Sequence, residues 1–196
     1  IDNIDVKAAE EQGIWAWNAP TGNFQSTAEL AVGMLFSVAR KIPFATEGAR
    51  SGKWLKKEIS ESGRQLSGST LGIFGAGNIG LRVAKMAEGI GMKVIVCDPI
   101  FKTSPSNPYE VVDFETLLKT SDFITIHSPM LPSTKHAFNL ESFRKMKPSA
   151  AIVNCARGGI IKDEDLVAAL EQNLIAAAGL DVFEVEPFPA DQPVYA

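Results

Sequence analysis

The chain has 196 residues, of which 45% are hydrophobic and 21% charged, with a formal net charge of −4. That is enough apolar material for one domain with a real core, and the slight acidity without a basic cluster argues against a nucleic-acid partner. No apolar run is long enough to span a membrane, and Cys97 and Cys155, each closing an apolar run, read as reduced thiols of a cytoplasmic protein rather than as a disulfide framework.

In chain order, residues 1–9 read as loop and the start of a short helix, and residues 14–17 as a short strand. Asn18-Ala19-Pro20-Thr21-Gly22-Asn23 is turn chemistry. Ser26-Thr27-Ala28-Glu29 has the form of a capping box, so a helix is predicted to start there. Residues 30–39 are apolar nearly all round, which predicts a helix buried on most faces. Pro43 should kink or end it. A second helical piece is expected over 45–54, and a polar connecting loop over 53–69.

The most informative stretch follows. Leu71, Ile73 and Phe74 form a short apolar run that breaks into Gly75-Ala76-Gly77-Asn78-Ile79-Gly80. A helical pattern of Leu81, Val83, Ala84, Met86, Ala87 and Ile90 closes on Gly91, and a second apolar run, Val94-Ile95-Val96-Cys97, ends on Asp98. Strand, glycine turn, helix, strand and acid stand in the order of a dinucleotide-binding βαβ unit. Gly75 would allow the tight turn, Gly77 the close approach of a pyrophosphate, and Gly80 close packing of helix on strand. The helix N-terminus offers free N–H groups to that pyrophosphate. Asp98 can accept hydrogen bonds from an adenosine ribose and would repel a 2′-phosphate, so NAD is expected over NADP.

Beyond Asp98 the alternation continues. Residues 104–108 read as a loop, Asp113 as the cap of a short helix, and residues 123–126 as a strand ending on His127-Ser128-Pro129. Asn139 opens a helix, and residues 150–153 form a strand ending on Asn154-Cys155-Ala156-Arg157-Gly158-Gly159. Asp163 caps a further helix, and residues 176–180 form a strand ending on Asp181. Strands alternating with helices imply right-handed crossovers and an α/β fold, a doubly wound parallel sheet of the Rossmann type. Ligands of such sheets sit beyond the strand C-termini, where Asp98, His127, Ser128, Cys155, Arg157 and Asp181 all fall. The scattered His and Cys residues make no credible metal site.

Several stretches together resemble the D-isomer-specific 2-hydroxyacid dehydrogenases: Asp2-Asn3-Ile4-Asp5, Ser26-Thr27-Ala28-Glu29, the Gly75 to Gly80 turn, His127-Ser128-Pro129, Met146-Lys147-Pro148, the 154–159 stretch and Asp181-Val182-Phe183-Glu184-Val185-Glu186-Pro187. The resemblance covers essentially the whole chain. It implies an NAD-dependent oxidoreductase that acts on a small D-2-hydroxy or 2-keto acid and pairs as a homodimer through this domain, with residues 30–36 at or near the interface. It places Arg157 beside the nicotinamide, where a guanidinium can grip a substrate carboxylate and polarise a carbonyl. Glu186 matches the acid that holds the catalytic histidine, and Asp181 would bond the carboxamide. Ser128, Cys155 and Ala156 would line the cofactor through backbone, with His127 on the cofactor side. The plainer alternatives are a surface Arg157, a solvated Glu186, Asp181 as a cap, a structural His127 and a surface His136.

The family's acid–base histidine lies after the Glu-Pro motif, and the only histidines here are His127 and His136. With Ile1 in place of an initiator, the chain is expected to be the cofactor domain, residues 19–196, of a two-domain parent. Residues 1–18 would be a remnant of the neighbouring substrate domain. A corepressor-like protein that binds NAD(H) without turnover is the alternative from another class.

Overall fold

The computed structural model describes residues 4–19, 21–106 and 108–187. Asp2, Asn3 and Pro20, used above as motif and turn residues, lie outside them, as does the segment after Pro187. The helices are α1 (Val6–Glu11), α2 (Phe24–Arg40), α3 (Ile42–Arg50), α4 (Lys56–Ser62), α5 (Asn78–Ile90), α6 (Phe114–Thr120), α7 (Leu140–Lys145) and α8 (Asp163–Glu171). The strands are β1 (Thr70–Phe74), β2 (Lys93–Cys97), β3 (Glu110–Val111), β4 (Phe123–Ile126), β5 (Ala151–Asn154) and β6 (Ala177–Leu180). They form one parallel sheet in the order β3-β2-β1-β4-β5-β6. Strand order reverses between β1 and β4, the position where doubly wound sheets open a ligand crevice.

Strand periodicity divides the core between the two faces of the sheet. Leu71, Ile73, Val96, Phe123 and Val153 pack on one side with Ala28, Ala31 and Leu35 of α2 and Val83, Ala84 and Ala87 of α5. Ile95, Ile124, Ile126 and Ile152 point the other way, against Leu117 and Leu118 of α6, Phe143 of α7 and Leu166 of α8. On that second face the rings of Phe74, Phe114 and Phe138 meet with centroids 5.3–5.4 Å apart. Edge-on contacts of this kind suit the ring quadrupoles.

Several local expectations are corrected. Residues 14–17 form no strand; Ile14, Trp15 and Trp17 are exposed. Helix α2 begins at Phe24, and Asn23 is its N-cap without a side-chain bond. The expected capping box does not form, because the Ser26 hydroxyl donates back to the Asn23 carbonyl inside the first turn. Nor is α2 buried on most faces. Ala28, Ala31, Leu35 and Ala39 are buried, while Leu30 and Phe36 are exposed. Pro43 lies in the first turn of α3, where its missing N–H costs nothing, and the break falls at Lys41 with a φ of 52°. The 53–69 stretch contains α4. Asp163 is the first residue of α8 rather than its cap, which is Lys162. The two-residue β3 escaped the sequence reading because it is too short to show periodicity.

Phe138 is fully buried within the aromatic trio. Phe138→Ala should therefore destabilise the chain by about 3–5 kcal/mol through the cavity it leaves. Urea unfolding checks this, and a loss under about 1 kcal/mol would contradict the packing described.

Candidate functional site

The glycine turn is built by exclusion. Gly75 has φ +95°, and a Cβ there would lie 2.6 Å from Ser128 N and 2.7 Å from His127 C. A Cβ on Gly80 would lie 2.2 Å from the Gly75 carbonyl oxygen, so α5 packs directly on the turn. Gly77 differs: a Cβ there would meet nothing within 4 Å. It is the N-cap of α5 and supplies no side-chain bond, so Asn78, Ile79 and Gly80 open the helix without a capping side chain. The space above Gly77 and the uncapped first turn fit an anionic pyrophosphate.

Asp98 at the end of β2 ties this turn down. Its Oδ2 accepts from Ala76 N at 2.8 Å, and its Oδ1 accepts from Ile100 N at 2.8 Å and Phe101 N at 3.0 Å. A carboxylate oxygen has a second lone pair, so these bonds leave acceptor capacity for a ribose hydroxyl.

At the end of β4 the His127 Nε2 lies 2.9 Å from Thr125 Oγ1, and its buried Nδ1 has no protein partner. Burial pulls the imidazole down to about 4, so it is neutral at pH 7. Its ring is bonded back to the sheet, and its backbone is the part that meets the glycine turn. Ser128 Oγ donates to the Pro129 carbonyl.

At the end of β5 the fully buried Asn154 shapes the next turn. Its Oδ1 accepts from Ala156 N at 3.0 Å, and its Nδ2 donates to the Arg157 carbonyl at 2.9 Å. Cys155 sends its thiol inward to Met34 Sδ at 3.4 Å. Burial pushes that thiol up to about 12, so it stays protonated, and its inward turn leaves the backbone to face the strand end. Arg157 is exposed, and its Nη1 donates to the Ala156 carbonyl. Asp181, exposed just past β6, has its N–H on the Asn154 carbonyl at 3.0 Å.

Arg157 and Glu186 come together in one cleft of about 370 Å³, lined also by Met130, Gly159, Phe183 and Glu184. Glu186 Oε1 accepts from Phe183 N at 2.9 Å. Three features of this cleft were not foreseen from the sequence. Met130 sits on its wall. Asn154 organises the turn that presents Arg157. His136, read above as a plain surface residue, is half-buried, with Nε2 2.6 Å from Glu184 Oε1. The last of these had no signal in the sequence, because a pairing 48 residues apart leaves no local pattern. Among the described residues no His/Cys/Asp/Glu group could hold a metal ion.

An all-parallel sheet in this strand order, with an uncapped helix behind a glycine turn and an acid at the end of the second strand, defines a dinucleotide-binding domain. The family model described as D-isomer specific 2-hydroxyacid dehydrogenase, NAD binding domain, matches residues 32–196, and the chain belongs to that family. Its cofactor is NAD, which the open space at Gly77 and the placement of Asp98 fit. The chain is 49% identical over 192 residues to the hydroxypyruvate reductase of Thermotoga maritima, covering 98% of this chain and 61% of that protein. It is 45% identical over 197 residues to the D-3-phosphoglycerate dehydrogenase of Methanocaldococcus jannaschii, covering 99% of this chain and 37% of that one. It superposes on the NAD-dependent formate dehydrogenase from Staphylococcus aureus in complex with NAD with a TM-score of 0.88 at 32% identity, covering 98% of this chain and 59% of that one. The chain thus spans less than two thirds of the length of each of these proteins.

The enclosed neutral His127 makes a pH prediction. Its pKa is lowered in the folded chain, to about 4 from an ordinary 6.5. Between those values the unfolded chain binds the extra proton and the folded chain does not, so stability falls as pH falls through that window. The slope should approach about 1.4 kcal/mol per pH unit. Urea unfolding at pH 7, 6 and 5 should show this loss, and it should shrink in His127→Asn. An unchanged pH dependence in the variant would count against the enclosure of the ring.

Proposed function

We propose that the protein carrying this chain oxidises a D-2-hydroxy acid, or reduces the matching 2-keto acid, with NAD held by residues 19–196. The observation that carries the reading is the shared cleft of Arg157 and Glu186 at the C-terminal edge of the NAD-binding sheet. Bound NAD supplies the hydride acceptor, or NADH the donor. The uncapped N–H groups of Asn78, Ile79 and Gly80 at the start of α5 hold its pyrophosphate, above the space left open at Gly77, and Asp98 its adenosine ribose. Ser128, Cys155 and Ala156 line it through backbone, His127 backs it, and Asp181 bonds its carboxamide. Arg157 grips the substrate carboxylate with two hydrogen bonds and polarises the carbonyl. Glu186 orients an imidazole and stabilises its charged form. That imidazole belongs to neither histidine of this chain, because His127 is bonded into the sheet and His136 is held by Glu184.

The substrate favoured is 3-phosphoglycerate. Asn18-Ala19-Pro20 with Gly22-Asn23, Leu131-Pro132-Ser133-Thr134 and the 154–159 stretch are most similar to D-3-phosphoglycerate dehydrogenases, which would place the protein in serine biosynthesis. The second reading, reduction of hydroxypyruvate or glyoxylate, is supported by the similarity to the Thermotoga maritima hydroxypyruvate reductase. A D-lactate type of reductase is a further variant. Two free cysteines support a reducing, cytoplasmic setting. Helix α1 buries no residue of its own, which supports residues 1–18 as part of the neighbouring substrate domain.

NADH consumption by the full-length protein over a panel of phosphohydroxypyruvate, hydroxypyruvate, glyoxylate and pyruvate tests the reading. Turnover is expected on one of them, and Arg157→Ala should lower kcat/KM by at least ~10²-fold. NADH binding without turnover on any would favour the corepressor-like alternative. The 196-residue chain should bind NAD more tightly than NADP by calorimetry and show no turnover, since acid–base transfer alone is worth ~10²–10⁴-fold.

Exposed apolar side chains on α2 and α3, Leu30, Phe36, Ile42 and Phe44, support a homodimer paired through this domain. Sedimentation at micromolar concentration should give a dimer, and Leu30→Glu combined with Phe36→Glu should give a monomer. A monomeric wild-type chain would rule the pairing out.

A further inference from the structure

We propose that His136 is a positioning residue: through Glu184 it fixes the segment that carries Glu186 and so sets where Glu186 stands against Arg157. This rests on the dehydrogenase reading above for its catalytic consequence, though not for its structural part.

The Glu184 carboxylate bridges three stretches of chain. Its Oε1 is 2.6 Å from His136 Nε2, in the connection between β4 and α7. Its Oε2 accepts from Asp163 N at 2.7 Å, at the start of α8. Its own N–H donates to Asp163 Oδ2 at 3.2 Å, closing a reciprocal pair. The backbone on either side is equally constrained. A Cβ on Gly158 would lie 1.8 Å from the Phe183 carbonyl oxygen, so the 181–187 segment rests directly on the turn that presents Arg157. His136 N–H donates to the Gly159 carbonyl at 2.9 Å, so the histidine and Phe183 are braced on adjacent glycines, Gly159 and Gly158.

The chain of contacts then reaches Glu186. The Phe183 N–H that lies beside Glu184 is the donor held by Glu186 Oε1. Moving Glu184 moves that N–H, and Glu186 with it. Asp163 holds Glu184 from the α8 side. His136 closes the opposite side. The geometry is specific to a side chain whose terminal nitrogen stands where Nε2 stands, and His136 maintains it at a φ of +51°, a region costly for most side chains. A charged or polar pair held at one third exposure and 2.6 Å gains more than a solvated surface pair would.

Two substitutions separate positioning from folding. Asn tolerates positive φ at least as well as His, so His136→Asn should fold normally, yet its amide is too short to reach Glu184. Gln is long enough to return a nitrogen to the Nε2 position. Hydrogen exchange of the amides over 182–186 in the 196-residue chain should speed up about tenfold or more in His136→Asn and return toward wild type in His136→Gln. In the full-length enzyme, His136→Asn should lower kcat about tenfold with KM for NAD unchanged, and His136→Gln should recover most of it. Unchanged exchange in His136→Asn overturns the proposal, and so does faster exchange with kcat unaltered. A full-length wild type that turns over nothing would refute the dehydrogenase reading, while the exchange data would still decide whether His136 fixes the segment.

Discussion

The site depends on two backbones sharing the space of one missing side chain. Gly75 lies so close to the His127–Ser128 peptide that a methyl group would overlap it. This contact joins the end of β1 to the end of β4, the two strands on either side of the reversal in strand order. Gly80 presses on the Gly75 carbonyl, so α5 also seats directly on the turn. The crevice at the switch point therefore has a fixed floor. Its mouth is fixed by Asp98, whose carboxylate anchors the Ala76 N–H and two N–H groups of the following turn.

The second half of the sheet repeats the device with different chemistry. Asn154, fully buried at the end of β5, uses both ends of its amide to hold Ala156 and Arg157. An amide buried without partners would be costly, and these bonds satisfy it. The result is an exposed guanidinium carried on an immobile base. At the opposite edge of the sheet Asp122 takes Lys147 at 2.9 Å and the Thr70 N–H at 2.9 Å, so β1 and β4 are also fastened at their N-terminal ends. The fold secures its two ends separately, one for stability and one for chemistry.

Much of this was legible because its signals are local. The turn from Gly75 to Gly80, the acid at 98 and the strand-and-helix alternation after it are each written within a few residues, and the sheet follows from the rule for crossovers. Near the start of the chain the reading was weakest. Residues 14–17 are apolar and look like a strand, but among the described residues no strand pairs with them, and Ile14, Trp15 and Trp17 are exposed. Helix α2 looked buried on most faces because its sequence is apolar nearly all round, and periodicity cannot say whether an apolar face is covered by the same chain. In the site, Arg157 and Glu186 were singled out by resemblance and line one cleft, and Cys155 was singled out by its place at a strand end. The thiol's inward direction and the His136–Glu184 pair depend on contacts between distant segments, which no local pattern encodes.

Asp98 carries an evolutionary consequence. In the proposed function one carboxylate would meet the cofactor's ribose, and the same carboxylate holds the Ala76 N–H of the glycine turn. A substitution there that relaxed discrimination between cofactors would at the same time release the Ala76 N–H and loosen the glycine turn. The two properties cannot drift independently. A lineage changing its cofactor would need a second change, supplying a new acceptor for that N–H, before or alongside the first. Such a coupled pair of positions restricts the mutational routes open to this domain more than either position would alone.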